Sequence, residues 1–372
     1  MASVAEKVQK LRALVSLLQD ASETIIADWR ADSAATDSGK DSVWNSSVPS
    51  PALYEARRVA LGACGMYIDL VQDSATRLTE VASSYLPARA LHIACRSKRR
   101  NTYCGSKPRG GHRVAKAVTT EANIAAVNLR DVVLDPGKTF STSIRESAFN
   151  VTYGTDKPLF EYVELPMGGL GEAGGLSLQL AMRFPKLQFV VQDRPKMIQQ
   201  AREAWEKDFP VALEEERVQF MAHDFFTEQT VREADVYVLR QILHDWPDDD
   251  CITILGHLRQ AMRRDSCILV VDIIIHPSVG SSCLKDAPLP LLRNYGSAQL
   301  VGSTRDLAML TLFNACERTP EHLSTLAVAA GLRLEKCRTK ERWRKVDIRV
   351  LDCDQPVVWI WFHIDMNFEE EA

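Results

Sequence analysis

An α/β fold built on an open parallel sheet, preceded by a mainly helical region, is what three features of the sequence predict. From about residue 160 onward, short apolar runs rich in β-branched residues alternate with helical segments. Those runs are nearly continuous in their hydrophobicity, the pattern of strands covered on both faces. Residues 1–95, by contrast, carry only the spacing of amphipathic helices.

Length and composition narrow the class further. The chain has 372 residues, enough for one large or two ordinary domains, with 46% hydrophobic and 25% charged residues. A net charge of −4 gives no overall pull toward nucleic acid or membrane and leaves a small, nearly neutral substrate open. The nine cysteines are scattered without a CxxC pair or zinc spacing, so no metal site is expected. They read as reduced thiols of a cytoplasmic protein. Residues 1–30 carry charges throughout, unlike a signal peptide, and no apolar run approaches the roughly 18 residues of a membrane span.

Taken in order, Val8, Leu11, Leu14, Leu17, Leu18 and Ile25 recur at helical spacing and predict an amphipathic helix over 2–29. The Ser, Asp, Gly and Pro of 31–51 predict an exposed linker, and Leu53–Val71 and Ala75–Cys95 predict further helices. Helices with one apolar stripe bury it against a partner, here a second copy of the chain. Residues 96–117 hold Arg96, Lys98, Arg99, Arg100, Lys107, Arg109, Arg113 and Lys116 with no acidic residue. Without interleaved aromatics or a nucleic-acid-binding fold signature this segment reads as a solvated loop, and no nucleic-acid partner is expected.

Strands are predicted at Leu187–Gln192, Val218–Ala222, Val236–Leu239 and Ile268–Val271, with helices at Leu176–Phe184, Lys196–Lys207 and Ile252–Arg263. In such sheets ligands bind beyond the carboxyl ends of the strands, so the polar residues there are the candidates. The glycines of 168–175, Gly169 and Gly171 among them, precede a helix, where a bare backbone lets a ligand approach the helix N-terminus. Asp193 ends the next strand at the spacing of an acid that binds ribose hydroxyls, although it also suits a helix cap before Pro195. Asp224 followed by Phe225 suits an adenine, the carboxylate accepting from the exocyclic amine and the ring packing on the base; a plain turn is the alternative. His244, between a strand end and a helix headed by Asp248–Asp250, is placed as a general base. Asp272 and Glu317 are acids that can fix its tautomer and stabilise its cation.

These stretches resemble the cation-independent, S-adenosylmethionine-dependent O-methyltransferases of fungal secondary metabolism and of plant phenols. The likeness lies in Val191-Gln192-Asp193-Arg194-Pro195, Ala222-His223-Asp224-Phe225-Phe226, Leu243-His244-Asp245-Trp246 and the block from Asp306 to Thr319. It implies a Rossmann-like class I methyltransferase sheet over 136–352, a helical dimerisation region over 1–135 and a homodimer. It also implies that Asp193 holds the ribose, Asp224 and Phe225 the adenine, and Arg240 a further part of the S-adenosylmethionine. His244 is then the base, Asp272 and Glu317 its flanking acids, and Met309 and Asn314 line the site of an aromatic hydroxyl acceptor. Gly154–Tyr162 resembles the family's substrate-lining helix.

Three stretches depart from the family. Phe160–Pro166 runs almost directly into the glycines, so the first sheet strand is shortened or lost. Residues 96–130 do not match, and the segment 353–372, with Trp359, Trp361 and Phe362, is atypical, Val346–Leu351 being the candidate last strand. The expected function is methyl transfer to an aromatic hydroxyl; the alternative is a catalytically impaired homologue that acts as a dimerisation partner.

Overall fold

The computed structural model describes residues 3–36, 50–82, 124–139, 141–162, 175–338 and 357–362. The basic segment 96–117, Gly169, Gly171 and Val346–Leu351 lie outside them.

The N-terminal part is helical. α1 spans Val4–Thr36 and α2 spans Pro51–Val71. The first helix thus runs into the segment read from sequence as linker, whose Ser, Ala and Asp residues up to Thr36 do not break a helix. α2 opens on Ser50, whose hydroxyl accepts from the Leu53 amide at 3.1 Å, with Pro51 in the first turn. α3 follows at Ser74–Ala82, and residues 124–134 form α4. The apolar stripes of α1 and α2 face each other, with Leu14, Ala21, Ala56, Val59 and Ala63 packed around Leu291 and Tyr295. That stripe is therefore covered within the chain. Gly62 and Gly65 permit the close approach: a Cβ at Gly62 would lie 2.5 Å from the Tyr295 carbonyl oxygen, and one at Gly65 1.8 Å from the Ser297 hydroxyl. Among the described residues no helix is long and apolar enough to cross a membrane.

α5 (Ala148–Tyr153) is closed by a capping box between Ser147 and Asn150 and by Gly154 at φ 60°. α6 (Gly175–Arg183), β1 (Phe189–Asp193), α7 (Pro195–Asp208), β2 (Val218–Ala222) and β3 (Val236–Arg240) follow. Then come α8 (Asp248–Ala261), β4 (Cys267–Asp272), α9 (Leu300–Phe313), α10 (Pro320–Ala329), β5 (Arg333–Arg338) and β6 (Val357–Phe362). Among the described residues every strand pair is parallel. β1 pairs with β2, and a second sheet has the order β3-β4-β6-β5. β6, which comes from the segment read as an atypical tail, lies between β4 and β5.

The larger core lies between the second sheet and α8 and α10, with Tyr237, Leu239, Ile268 and Val270 meeting Ile254, Leu255, Leu258, Leu323 and Leu326. A smaller one joins Val191 and Val218 to Ala201 and Trp205 on α7. The expectation of strands covered on both faces holds only in part. In β3 Tyr237 and Leu239 are buried, whereas Val236 and Val238 on the opposite face are 37% and 43% exposed, and Val190 in β1 is 41% exposed. Among the described residues β1 bonds only to β2 and β3 only to β4, so each has an edge with no neighbour.

The contact of α2 with the turn at Tyr295 depends on the missing Cβ at Gly62. Gly62→Val is expected to cost about 1–3 kcal/mol of unfolding free energy through overpacking, measured by urea denaturation. An unchanged midpoint and slope would mean that this helix docks loosely.

Candidate active site

His244 owes its position to the way the chain leaves β3. Gln241 takes a positive φ of 53°, its amide still donating to the Val271 carbonyl at 3.0 Å, and the chain then tightens into one 3-10 turn over Leu243–Asp245. Leu243, 1% exposed, anchors that turn in the core. Pro247 then starts α8, whose first turn holds Asp248, Asp249 and Asp250. These acids favour the positive end of the helix, but no side chain accepts the capping bond.

The imidazole is 5% exposed, and its Nδ1 lies 2.9 Å from Oε1 of Glu317, whose side chain is fully buried. Asp245 Oδ1 is 3.6 Å from Nε2. Asp272 ends β4, 4% exposed, close enough to His244 to interact electrostatically. Arg305 Nε approaches the same Glu317 oxygen at 3.5 Å, and the Glu317 amide donates to Asp306 Oδ1 at 2.9 Å. A small cavity beside the ring is lined by His244, Asp272, Ile273, Cys316, Arg318 and Leu323. Oδ1 of Asp272 and Oε2 of Glu317 are buried without a hydrogen-bond partner.

Burial alone would lower the proton affinity of this histidine. The opposing pull of Asp245, Glu317 and Asp272 outweighs it and raises the ring pKa from 6.5 to about 10. Burial pushes the Asp245 carboxyl up to about 6 against the attraction of the imidazolium, and it raises Asp272 as well. The surrounding acids thus favour the charged form of the ring.

The other candidates separate into groups. Asp193 closes β1 at the carboxyl edge. Its Oδ1 accepts from the Arg194 amide at 2.7 Å, while the N-cap of α7 is Arg194 without a side-chain bond. The capping reading of Asp193 therefore fails; burial raises its carboxyl above the usual range despite the Arg194 amide. Asp224 is exposed and takes the Phe226 amide at 3.0 Å, the turn that the alternative reading anticipated. The Phe225 ring meets Trp246 edge-on at 5.6 Å, which ties the end of β2 to the His244 turn. Arg240 ends β3. Met309 is 8% exposed among Phe149, Leu159, Leu312 and Phe313, beside the segment expected to line the acceptor. Asn314 caps α9 at φ 52° and donates to the Ser143 carbonyl at 2.8 Å, so its amide is at least partly committed to structure. Gly169 and Gly171 lie outside the described residues.

Three contributors were missed from sequence. Asp245 and Arg305 act on the site through Glu317 and His244, and Arg318 grips the turn that carries His244. The first and last are chain neighbours of residues already singled out, which was the available signal. Asp248, Cys316 and His322 also gather potential metal-ligand atoms within 4.8 Å of one another, but Asp248 is already bonded to Arg318 and His322.

With this geometry in hand, comparison with known proteins is decisive. A family model described as an O-methyltransferase domain matches residues 164–333. Over those residues, somewhat under half of the chain, the sequence is similar to O-methyltransferases. It is 28% identical to O-methyltransferase gedA of Aspergillus terreus over 91% of this chain and 96% of that protein. That alignment runs over 468 positions, more than the 372 residues here, so the relative has segments that this chain lacks. O-methyltransferase cicE of Emericella nidulans is 39% identical over 47% of this chain and 35% of its own. Among solved structures, OxaC superposes with a TM-score of 0.60 at 15% identity, covering 89% of this chain and 96% of that one. LepI in complex with SAM gives 0.55 at 16% identity, covering 84% and 95%. At such identities these two speak for the fold alone, a class I methyltransferase fold with a helical N-terminal region.

The imidazolium cluster has a pH signature. Because His244 holds its proton more tightly folded than unfolded, its contribution to stability is complete below about 6.5 and is lost as pH rises through about 10. Glu317→Gln is therefore expected to destabilise the protein by about 3–5 kcal/mol at neutral pH, a deficit that shrinks above pH 10. Urea denaturation of both proteins across pH tests this, and a deficit independent of pH would refute the ion pair.

Proposed function

We propose that this methyltransferase moves the methyl group of S-adenosylmethionine to a hydroxyl of an aromatic small molecule, with His244 as general base and Asp272 and Glu317 as its flanking acids. The observation that carries the reading is the 2.9 Å contact between the buried His244 Nδ1 and Glu317, which engages one ring nitrogen and leaves proton exchange to Nε2.

The described residues fit the cofactor at its nucleoside end. The half-buried Asp193 carboxylate at the end of β1 offers one oxygen to ribose hydroxyls, and Asp224 and Phe225 stand at the end of the adjacent strand for the adenine. Arg240, ending β3, adds a polar contact. When bound, S-adenosylmethionine supplies an electrophilic methyl on a positively charged sulfur, a charge that favours the neutral imidazole. Nε2 of His244 then takes the proton from the acceptor hydroxyl as its oxygen attacks. The acids that raise the proton affinity of the ring make it a better acceptor for a phenol proton than a free imidazole would be. Glu317 keeps Nδ1 protonated throughout, and Asp272 and Asp245 stabilise the cation. Met309, Asn314 and the helical segment from Gly154 to Tyr162 shape the acceptor site, whose apolar, ring-rich lining of Phe149, Tyr153 and Tyr162 suits a planar aromatic. A polyketide or other phenol of secondary metabolism in the cytoplasm is the acceptor class we favour. A homodimer assembled through the N-terminal helices is the assembly we favour, Trp29, Leu61, Ile68 and Val71 being exposed on them.

A second reading, an impaired homologue that serves as a dimerisation partner, is favoured by the unpaired edges of β1 and β3. Calorimetric titration with S-adenosylmethionine separates the two: saturable binding supports the enzyme, and no heat supports the partner. If the enzyme reading holds, Asp193→Ala weakens cofactor binding by about 10- to 100-fold, the scale of a lost charge-assisted hydrogen bond. His244→Ala, assayed with labelled cofactor and simple phenols, is expected to lose about 10²–10⁴ in turnover with cofactor binding retained. Unchanged turnover would remove His244 from the mechanism.

A further inference from the structure

Glu317 and Arg318 are adjacent, and both reach the same turn from opposite sides. The Arg318 side chain is 2% exposed. Its Nη1 donates to the Leu243 carbonyl at 2.6 Å and its Nη2 to the Trp246 carbonyl at 2.7 Å, the two peptide groups that bracket His244 and Asp245. Nη2 and Nε also bond Asp248 Oδ1, at 2.8 and 3.1 Å, and the other Asp248 oxygen lies 2.8 Å from His322 Nε2. Nη1 lies 3.5 Å from the Cys316 carbonyl. The backbone of Arg318 is itself fixed, its carbonyl accepting from the Ile275 amide at 3.0 Å, just beyond Asp272. A buried guanidinium thus spans two carbonyls and a carboxylate, a task for its fork of donors that a single ammonium cannot perform.

We propose that Arg318 is the positioning residue of the catalytic turn: it locks the 243–248 backbone in the one conformation in which Glu317 can hold His244 Nδ1 and leave Nε2 to the acceptor. This deepens the assignment of His244 as base and rests on that reading. The division of labour is physical. Glu317 sets the orientation of the ring, whereas Arg318 sets the height and tilt of the backbone that carries it. A shift of about 1 Å in a reacting group costs on the order of 10² in rate, so losing the clamp acts on chemistry even where the fold survives.

The groups facing His244 are Asp245 on its own turn, Asp272 from β4 and Glu317 beyond α9, with Arg305 behind Glu317. If Arg318→Lys lets the turn drift, the ring separates from these acids together. Two readouts follow on the full-length protein. By NMR of protein labelled with 15N-histidine, the ring that disappears in His244→Ala titrates at lower pH in Arg318→Lys than in the wild type. In the methyl-transfer assay kcat falls about 10- to 100-fold while the KM for S-adenosylmethionine stays within about threefold, and methylguanidinium partly restores an Arg318→Ala variant. Should Arg318→Lys fail to fold, Asp248→Asn loosens the same fork and is expected to shift the titration in the same direction by less. A folded Arg318→Lys protein with the wild-type ring titration and kcat would overturn the proposal and leave Arg318 a packing residue. The ring titration needs no turnover, so it decides the matter even if no acceptor is methylated, a result that would count against the enzyme reading instead.

Discussion

The 2.9 Å contact between His244 and Glu317 joins two segments 73 residues apart in the chain, and the geometry of the site depends on it. Both groups are almost wholly out of water. A buried charge is costly unless paired. Pairing them makes each tolerable to the other and fixes the ring. Asp245 and Asp272 enlarge the negative side of the pair, and the cluster therefore keeps a proton that an isolated imidazole would release near neutrality.

That cluster needs a rigid frame, and the parallel sheet supplies it. β3 and β4 run in register from Val236–Cys267 to Arg240–Val271, so the turn after β3 and the acid ending β4 emerge side by side at the same edge. The Glu317-Arg318 pair arrives from the end of α9, where Asn314 turns the chain in a left-handed conformation and Asp306 takes the Glu317 amide. Asp193 and Asp224, the residues proposed for the nucleoside, stand at the end of the other sheet. The two halves communicate through Phe225, Phe226 and Trp246, whose rings pack edge to face.

Among the described residues no pairing joins β1 to β3. The sequence runs abruptly from Phe160–Pro166 into the glycines, and a relative that aligns over nearly its whole length carries additional segments. Val190, Val236 and Val238, apolar side chains of those strands, stand on open faces.

Much of this was legible in the sequence. The strands ending at Asp193, Ala222, Arg240 and Asp272 were readable because an apolar run that stops at a polar residue reflects local burial, and four of the acids and bases at those ends were named by position alone. The helix through 2–29 was equally plain, although its end at Thr36 was not, since nothing in that stretch forbids another turn. Tertiary structure decided the rest. Which oxygen meets which ring nitrogen, the recruitment of Asp245 and Arg305, and the clamp of Arg318 on two carbonyls arise from segments distant in the chain, and hydrophobic periodicity carries no record of such pairings. Nor could composition reveal that 357–362 would pair between β4 and β5, because strand order is settled by which edges meet in three dimensions.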